Sequence, residues 1–110
     1  MMRVSELRHR ITLLKQQTSV NAGGERLAEW TQVKKLWANI TYLSVKDVLA
    51  SQAAGSQITA RCVVRYTKDI TSDMRIIYQD HVFAIVGQPI PDPKTGREYL
   101  TLMLQSASYE

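Results

Sequence analysis

A chain of 110 residues, 45% hydrophobic and 22% charged, has the composition of one soluble globular domain, long enough for a single two-layer core. Its one cysteine, Cys62, excludes an internal disulfide framework and suits a reducing cytoplasm; its longest apolar runs, of about five residues as at 82–86, are too short for a membrane helix or a secretion-signal core. The net charge of +4 lies entirely in residues 1–60, with eight basic against four acidic groups, whereas residues 61–110 carry six of each, and no run of five basics marks a dedicated nucleic-acid footprint.

The dominant period along the chain is two. Residues 9–18 read as a strand with Ile11 and Leu13 on one face and Arg10, Thr12 and Gln16 largely on the other, ending at the glycine loop Asn21, Ala22, Gly23, Gly24. In the next stretch, 30–43, Leu36, Ala38, Ile40 and Tyr42 share one face while Val33 and Trp37 fall on the other, a phase change that predicts a bulge near Lys34 and Lys35 or burial of both faces. Residues 44–54 break the strand rhythm. Val45, Val48, Leu49, Gln52 and Ala53 recur at helical spacing, Ser44 is placed to cap, Asp47 sits near the positive end and Gly55 follows the last turn, so one amphipathic helix of about three turns is expected.

The clearest strand starts at Ile58, with Ile58, Ala60, Cys62, Val64 and Tyr66 inward and Thr59, Arg61, Val63 and Arg65 outward. Residues 74–78 and 82–87 predict a hairpin about Gln79, Asp80 and His81, and 99–106 the last strand. Between them, Pro89, Pro91 and Pro93 remove backbone donors, which predicts a stiff exposed loop outside the ladder. Six short strands and one helix without βαβ alternation give a mainly β fold: a small antiparallel barrel or sandwich with the helix closing one end.

The inventory of chemical groups is thin. His9 and His81 lie in no ligand-spaced motif, so the sequence indicates neither a metal site nor a cofactor. Cys62 alternates with apolar neighbours, the setting of a buried inert thiol. Lys94, Thr95, Gly96 lacks the upstream glycine of a phosphate loop and reads as a hairpin tip, and Asn39, Ile40, Thr41 matches a glycosylation acceptor only inside a predicted strand. Asp69, Asp73 and Asp80 each stand at a turn or strand end, where Asp bonds nearby backbone N–H groups. Trp30 and Trp37, interleaved with Lys34 and Lys35, suit base stacking or, more simply, core or interface anchoring.

One order of residues is more specific than any of these motifs. Leu7-Arg8-His9-Arg10-Ile11, the glycine loop, Trp30 and Val33, Leu36-Trp37-Ala38, a helix with Ala50, Ala53 and Ala54, Val64-Arg65-Tyr66, Ile70, Met74-Arg75-Ile76 and Phe83-Ala84-Ile85-Val86 together resemble the tailed-phage head-tail adaptor family, also called head-tail joining or head-closure proteins. The resemblance runs from about Leu7 to Gln105. It implies a non-enzymatic virion protein of a phage or prophage, made in the bacterial cytoplasm, whose β-barrel assembles as a homo-oligomeric ring below the portal, between a portal or adaptor ring above and a tail completion or tail tube protein below, with packaged DNA in the channel and no membrane. A ring requires heterologous contacts that close.

Under that resemblance the helical segment, with Ser44, Lys46, Asp47, Ala50, Ala53, Ala54 and Gly55, is the candidate channel or gating element; the alternative is that Val45, Val48 and Leu49 plug one end of the barrel. Residues 1–6 form a candidate flexible arm, and Arg3, Arg8, Arg10, Trp30 and Arg75 are candidate docking or subunit-interface residues, together with the 17–29 loop. Tyr66 is expected to be buried and Arg75 to present a free guanidinium. An OB-like barrel that binds nucleic acid on its own has the same size, β content and basic balance, and stays open as the alternative.

Overall fold

The structure, a computed structural model, describes residues 7–107. Six antiparallel strands close into a barrel: β1 (His9–Val20), β2 (Arg26–Tyr42), β3 (Ala60–Arg65), β4 (Arg75–Tyr78), β5 (His81–Pro91) and β6 (Tyr99–Ser106), in the order β1-β2-β3-β6-β5-β4, with β4 pairing back onto β1. The helix α1 (Val45–Ala53) lies in the connection from β2 to β3. Closure leaves the core inside. Ile11 and Leu13 of β1, Ala60, Cys62 and Val64 of β3, and Leu100, Leu102 and Leu104 of β6 are buried at alternate positions, as the period of two requires.

Two turns show why the strands end where they do. Between β1 and β2 the Asn21 side-chain carbonyl accepts from the backbone N–H groups of Gly23 and Glu25, both at 2.9 Å, and Gly24 takes a positive φ of 81° that a side chain would strain. Between β4 and β5 the two-residue turn Gln79-Asp80 has positive φ at both positions (49° and 66°), the twist that matches a tight hairpin, so His81 opens β5 opposite Tyr78 instead of belonging to the turn.

The phase change in β2 is a bulge. Leu13 opposes Lys34 but Leu14 opposes Gln32, so Val33 is the extra residue, one place before the expected lysines. Several expectations are corrected. The 17–29 region is no loop: β1 runs on to Val20 and β2 begins at Arg26, giving a two-stranded ribbon of six pairs from Lys15↔Thr31 to Val20↔Arg26 that neither β3 nor β4 reaches. β5 continues through Pro89 to Pro91, with Ile90 opposite Thr101 and Pro91 opposite Leu100. Proline is tolerated there because β4 pairs with β5 only up to Ala84, so the missing donors are lost on an unpaired edge, after a register shift between Val86 and Ile90. Tyr66 lies past the end of β3 and is 36% exposed, and Tyr42 is also exposed, because each alternation outlasts the barrel wall that would cover it. The inward series begins at Ala60, with Ile58 only half-buried.

The helix does not plug the barrel. None of its residues is buried, and Val45 and Leu49 are 77% and 59% exposed.

Candidate functional site

The 43–59 excursion is tied down at its base and free above it. Leu43 donates its N–H to the Thr59 carbonyl and Thr59 donates to the Leu104 carbonyl, each at 2.9 Å, directly beside the Tyr42↔Ala60 pair. From that base α1 is closed by its own sequence at both ends. Ser44 Oγ accepts the Asp47 N–H at 3.2 Å, and Asp47 adds a negative charge to the first turn. At the other end Ser56 donates to the Ser51 carbonyl and Gly55 to that of Gln52, with Gly55 at φ 84°. This is a Schellman stop, which needs a residue free of Cβ strain at the position of Gly55. Lys46, Ala50, Ala53 and Ala54 are exposed, whereas Val48, Ser51 and Ser56 on the same segment are half-buried. The candidate gating residues are thus brought together on one tab that projects from the rim, with an apolar side facing solvent.

The candidate docking residues separate into two places. Arg3 lies outside the described residues. Arg8 is exposed, and Arg10 stacks its guanidinium over Trp37 at 5.0 Å from the ring centroid. Trp30 and Arg75 pair with each other instead, the guanidinium 5.2 Å from the indole. Arg75 does stand on the outward face, but it is not free: its guanidinium lies on Trp30, and it stands directly opposite Leu14, an outward-facing leucine that is nevertheless buried. Arg75 Nε is buried without a hydrogen-bond partner, so this guanidinium is partly desolvated.

A cationic row on the outer face was not legible as a unit in the sequence. Arg10 opposes Trp37 across β1 and β2, and continuing the Ala38↔Val64 register by one residue brings Arg65 to the other side of Trp37, with Tyr99 beyond it on β6. A hollow of about 490 Å³ lined by Leu7, Arg10, Lys35, Leu36, Trp37 and Arg65 runs along this row, and Trp37 is 55% exposed in it. Lys34, next to Lys35 in sequence, is spent elsewhere: its ammonium is held by Asp69 at 2.8 Å and by Thr67 at 3.2 Å, and that hydrogen bond and charge hold the Asp69 carboxyl below the usual range.

The remaining carboxylates do local work. Asp92 organises the 92–98 loop by accepting from the N–H groups of Lys94, Thr95, Glu98 and Tyr99, the shortest being Glu98 at 2.8 Å; these bonds hold its carboxyl far below the usual range. Asp73 is bonded to the Thr71 hydroxyl, which lowers it too. Lys94, Thr95 and Gly96 sit in the tip of that loop, as expected of a hairpin tip. Burial pushes the Cys62 thiol up to about 12, so it is protonated and inert at neutral pH. Among the described residues no three His, Cys, Asp or Glu side chains gather as a metal site, and no helix is long and apolar enough to cross a membrane.

Known proteins share this fold. No curated protein matches the chain. The solution structure of protein SF1141 from Shigella flexneri 2a is 31% identical, with a TM-score of 0.78 over 99% of this chain and 100% of that one. A chain of the virion of a native gene transfer agent particle shares the fold at 14% identity, with a TM-score of 0.61 over 94% of this chain and 96% of that one. The family model described as phage head completion protein matches residues 2–107, and the chain therefore belongs to the phage head completion protein family.

Proposed function

We propose that the protein forms a homo-oligomeric ring at the head-tail connector, below the portal, where it closes the DNA-filled head and offers the platform on which the tail attaches. In this reading it acts without catalysis, is assembled in the host cytoplasm, and contacts a portal or adaptor ring above, a tail completion or tail tube protein below, and packaged DNA in the channel. The first six residues serve as a docking arm. Membership in the head completion family is the ground, and the same barrel in a gene transfer agent virion is consistent with it. The observation that carries it is the 43–59 tab. A lone soluble barrel gains nothing from a capped helix whose Val45 and Leu49 face water, whereas a subunit of an assembly buries such a face against its neighbours. Electron microscopy of particles made without the protein tests the reading: untailed heads that leak DNA beside full-length tails are expected, and DNA-filled, tailed particles would refute it. Charge reversal at Lys46 should alter DNA retention without unfolding the barrel if the tab faces the channel.

A further inference from the structure

The β1–β2 ribbon extends beyond the strands that support the rest of β1 and β2. Its six pairs extend about 20 Å at ~3.3 Å per residue, with both edges unpaired, and an isolated two-stranded ribbon is marginal in water. Its sequence has a pattern on one face. Leu27 and Glu29 point to the same side, alternating with Arg26 on the other, and Glu25, in the turn just before β2, accepts the Asn21 side-chain amide at 3.5 Å, so the tip carries a carboxylate on either side of Leu27 along the chain. Leu27 is 40% exposed. The spacing from Glu25 to Glu29 is about 13 Å for an extended strand.

The outer-face row has the complementary pattern at a matching span. Arg10 and Arg65 flank Trp37 from the two neighbouring strands, which places them about 10 Å apart at ~4.8 Å per strand, with Lys35 two residues along β2 on the same face. Neither Lys35 nor Arg65 makes an ion pair within 4 Å among the described residues, although Glu98 shares a second hollow with Arg65. The floor is apolar, from Leu7, Leu36 and Trp37. Duplex DNA offers phosphates to the cations but nothing to that floor; a leucine between two carboxylates satisfies both.

We infer that the ribbon tip of one copy, through Glu25, Leu27 and Glu29, docks into the Arg10–Trp37–Arg65 hollow of the next copy. The two patches are different surfaces of one chain, so the contact is heterologous, and repeated around an axis it closes a ring. The inference rests on the ring reading above and supplies its contact. Docking also gives the ribbon the support it lacks alone.

Glu29→Arg and Arg65→Glu test it, singly and together, in a particle-forming system, with melting of the purified variants to establish that each folds. Either reversal alone sets like charges across the boundary and should lower the yield of DNA-filled, tailed particles about tenfold or more. The double variant, with opposite charges restored, should recover most of the yield. Full yield from both single variants, or a folded double variant no better than the worse single one, overturns the contact. Leu27→Cys combined with Lys35→Cys should give a ladder of disulfide-linked copies on oxidation of assembled particles, since Cys62 is buried and does not compete; a missing ladder in particles that contain the protein also overturns it. Normal particles made without the protein would instead overturn the ring reading and take the contact with it.

Discussion

The same deletion of atoms at two leucines separates the barrel from the tab. Leu104 is fully buried on β6, and Leu104→Ala removes about three carbons from a closed core, a transfer loss of roughly 2.4 kcal/mol at ~0.8 kcal/mol per carbon. The barrel wall cannot collapse into the space, so a cavity cost is added and the total should be about 3–4 kcal/mol. Leu49 is 59% exposed, so less than half of that transfer loss applies, no cavity forms at a site open to water, and alanine is the better helix former. Leu49→Ala should therefore cost no more than about 1 kcal/mol. Urea unfolding of both purified variants gives the two numbers. Particle yield should respond in the opposite order to what stability alone dictates: Leu49→Ala, nearly as stable as the parent, should still impair head completion because it trims the exposed face of α1. A loss of more than about 2 kcal/mol at Leu49 would mean that α1 packs on the barrel, and the account of the tab as a free interface element would be wrong.

The Trp30–Arg75 stack should show a coupling of about 0.5–1 kcal/mol in a double-mutant cycle read by denaturant unfolding, and a value near zero would refute the stack as a stabilising contact. Removing the His9 ring leaves the Ile40 N–H, which His9 Nδ1 accepts at 3.0 Å past the end of the β1–β2 ladder, without a protein partner; His9→Ala should cost about 1–2 kcal/mol, with hydrogen exchange at Ile40 accelerated before that of Cys62. Asp69, Asp73 and Asp92 have folded-state pKa values below the ordinary 3.8, so their contribution is present above that value and is lost as the pH falls below it. Melting temperature should fall from pH 5 towards pH 2, and Asp92→Asn, already without the charge, should lose less over that interval. Cys62 should react with a thiol reagent at neutral pH only as fast as the barrel opens, and fast labelling of the native protein would contradict its burial.

Whatever depends on neighbours in sequence was legible before any tertiary structure. Alternation at Ile11 and Leu13 and at Ala60, Cys62 and Val64 placed strands and their inward faces, because the pleat repeats every two residues whatever the partner strand is, and 99–106 was placed as a strand. Ser44, Asp47 and Gly55 marked the ends of α1 because caps are satisfied within a few residues. The family, too, was recognisable from the order of its short motifs. Whatever depends on which strand lies beside which was decided by the fold. Alternation put Tyr66 and Tyr42 inward, but they stand where no wall covers them. Pro89 and Pro91 joined a strand because their side of β5 has no partner. The helical stripe of Val45 and Leu49 reads as core by periodicity, yet periodicity reports only that a face is apolar, and the short base of the 43–59 excursion holds that face away from the barrel. Arg10, Trp37 and Arg65 are 27 and 28 residues apart in the chain and become neighbours only through strand register, a long-range property fixed when the barrel closes.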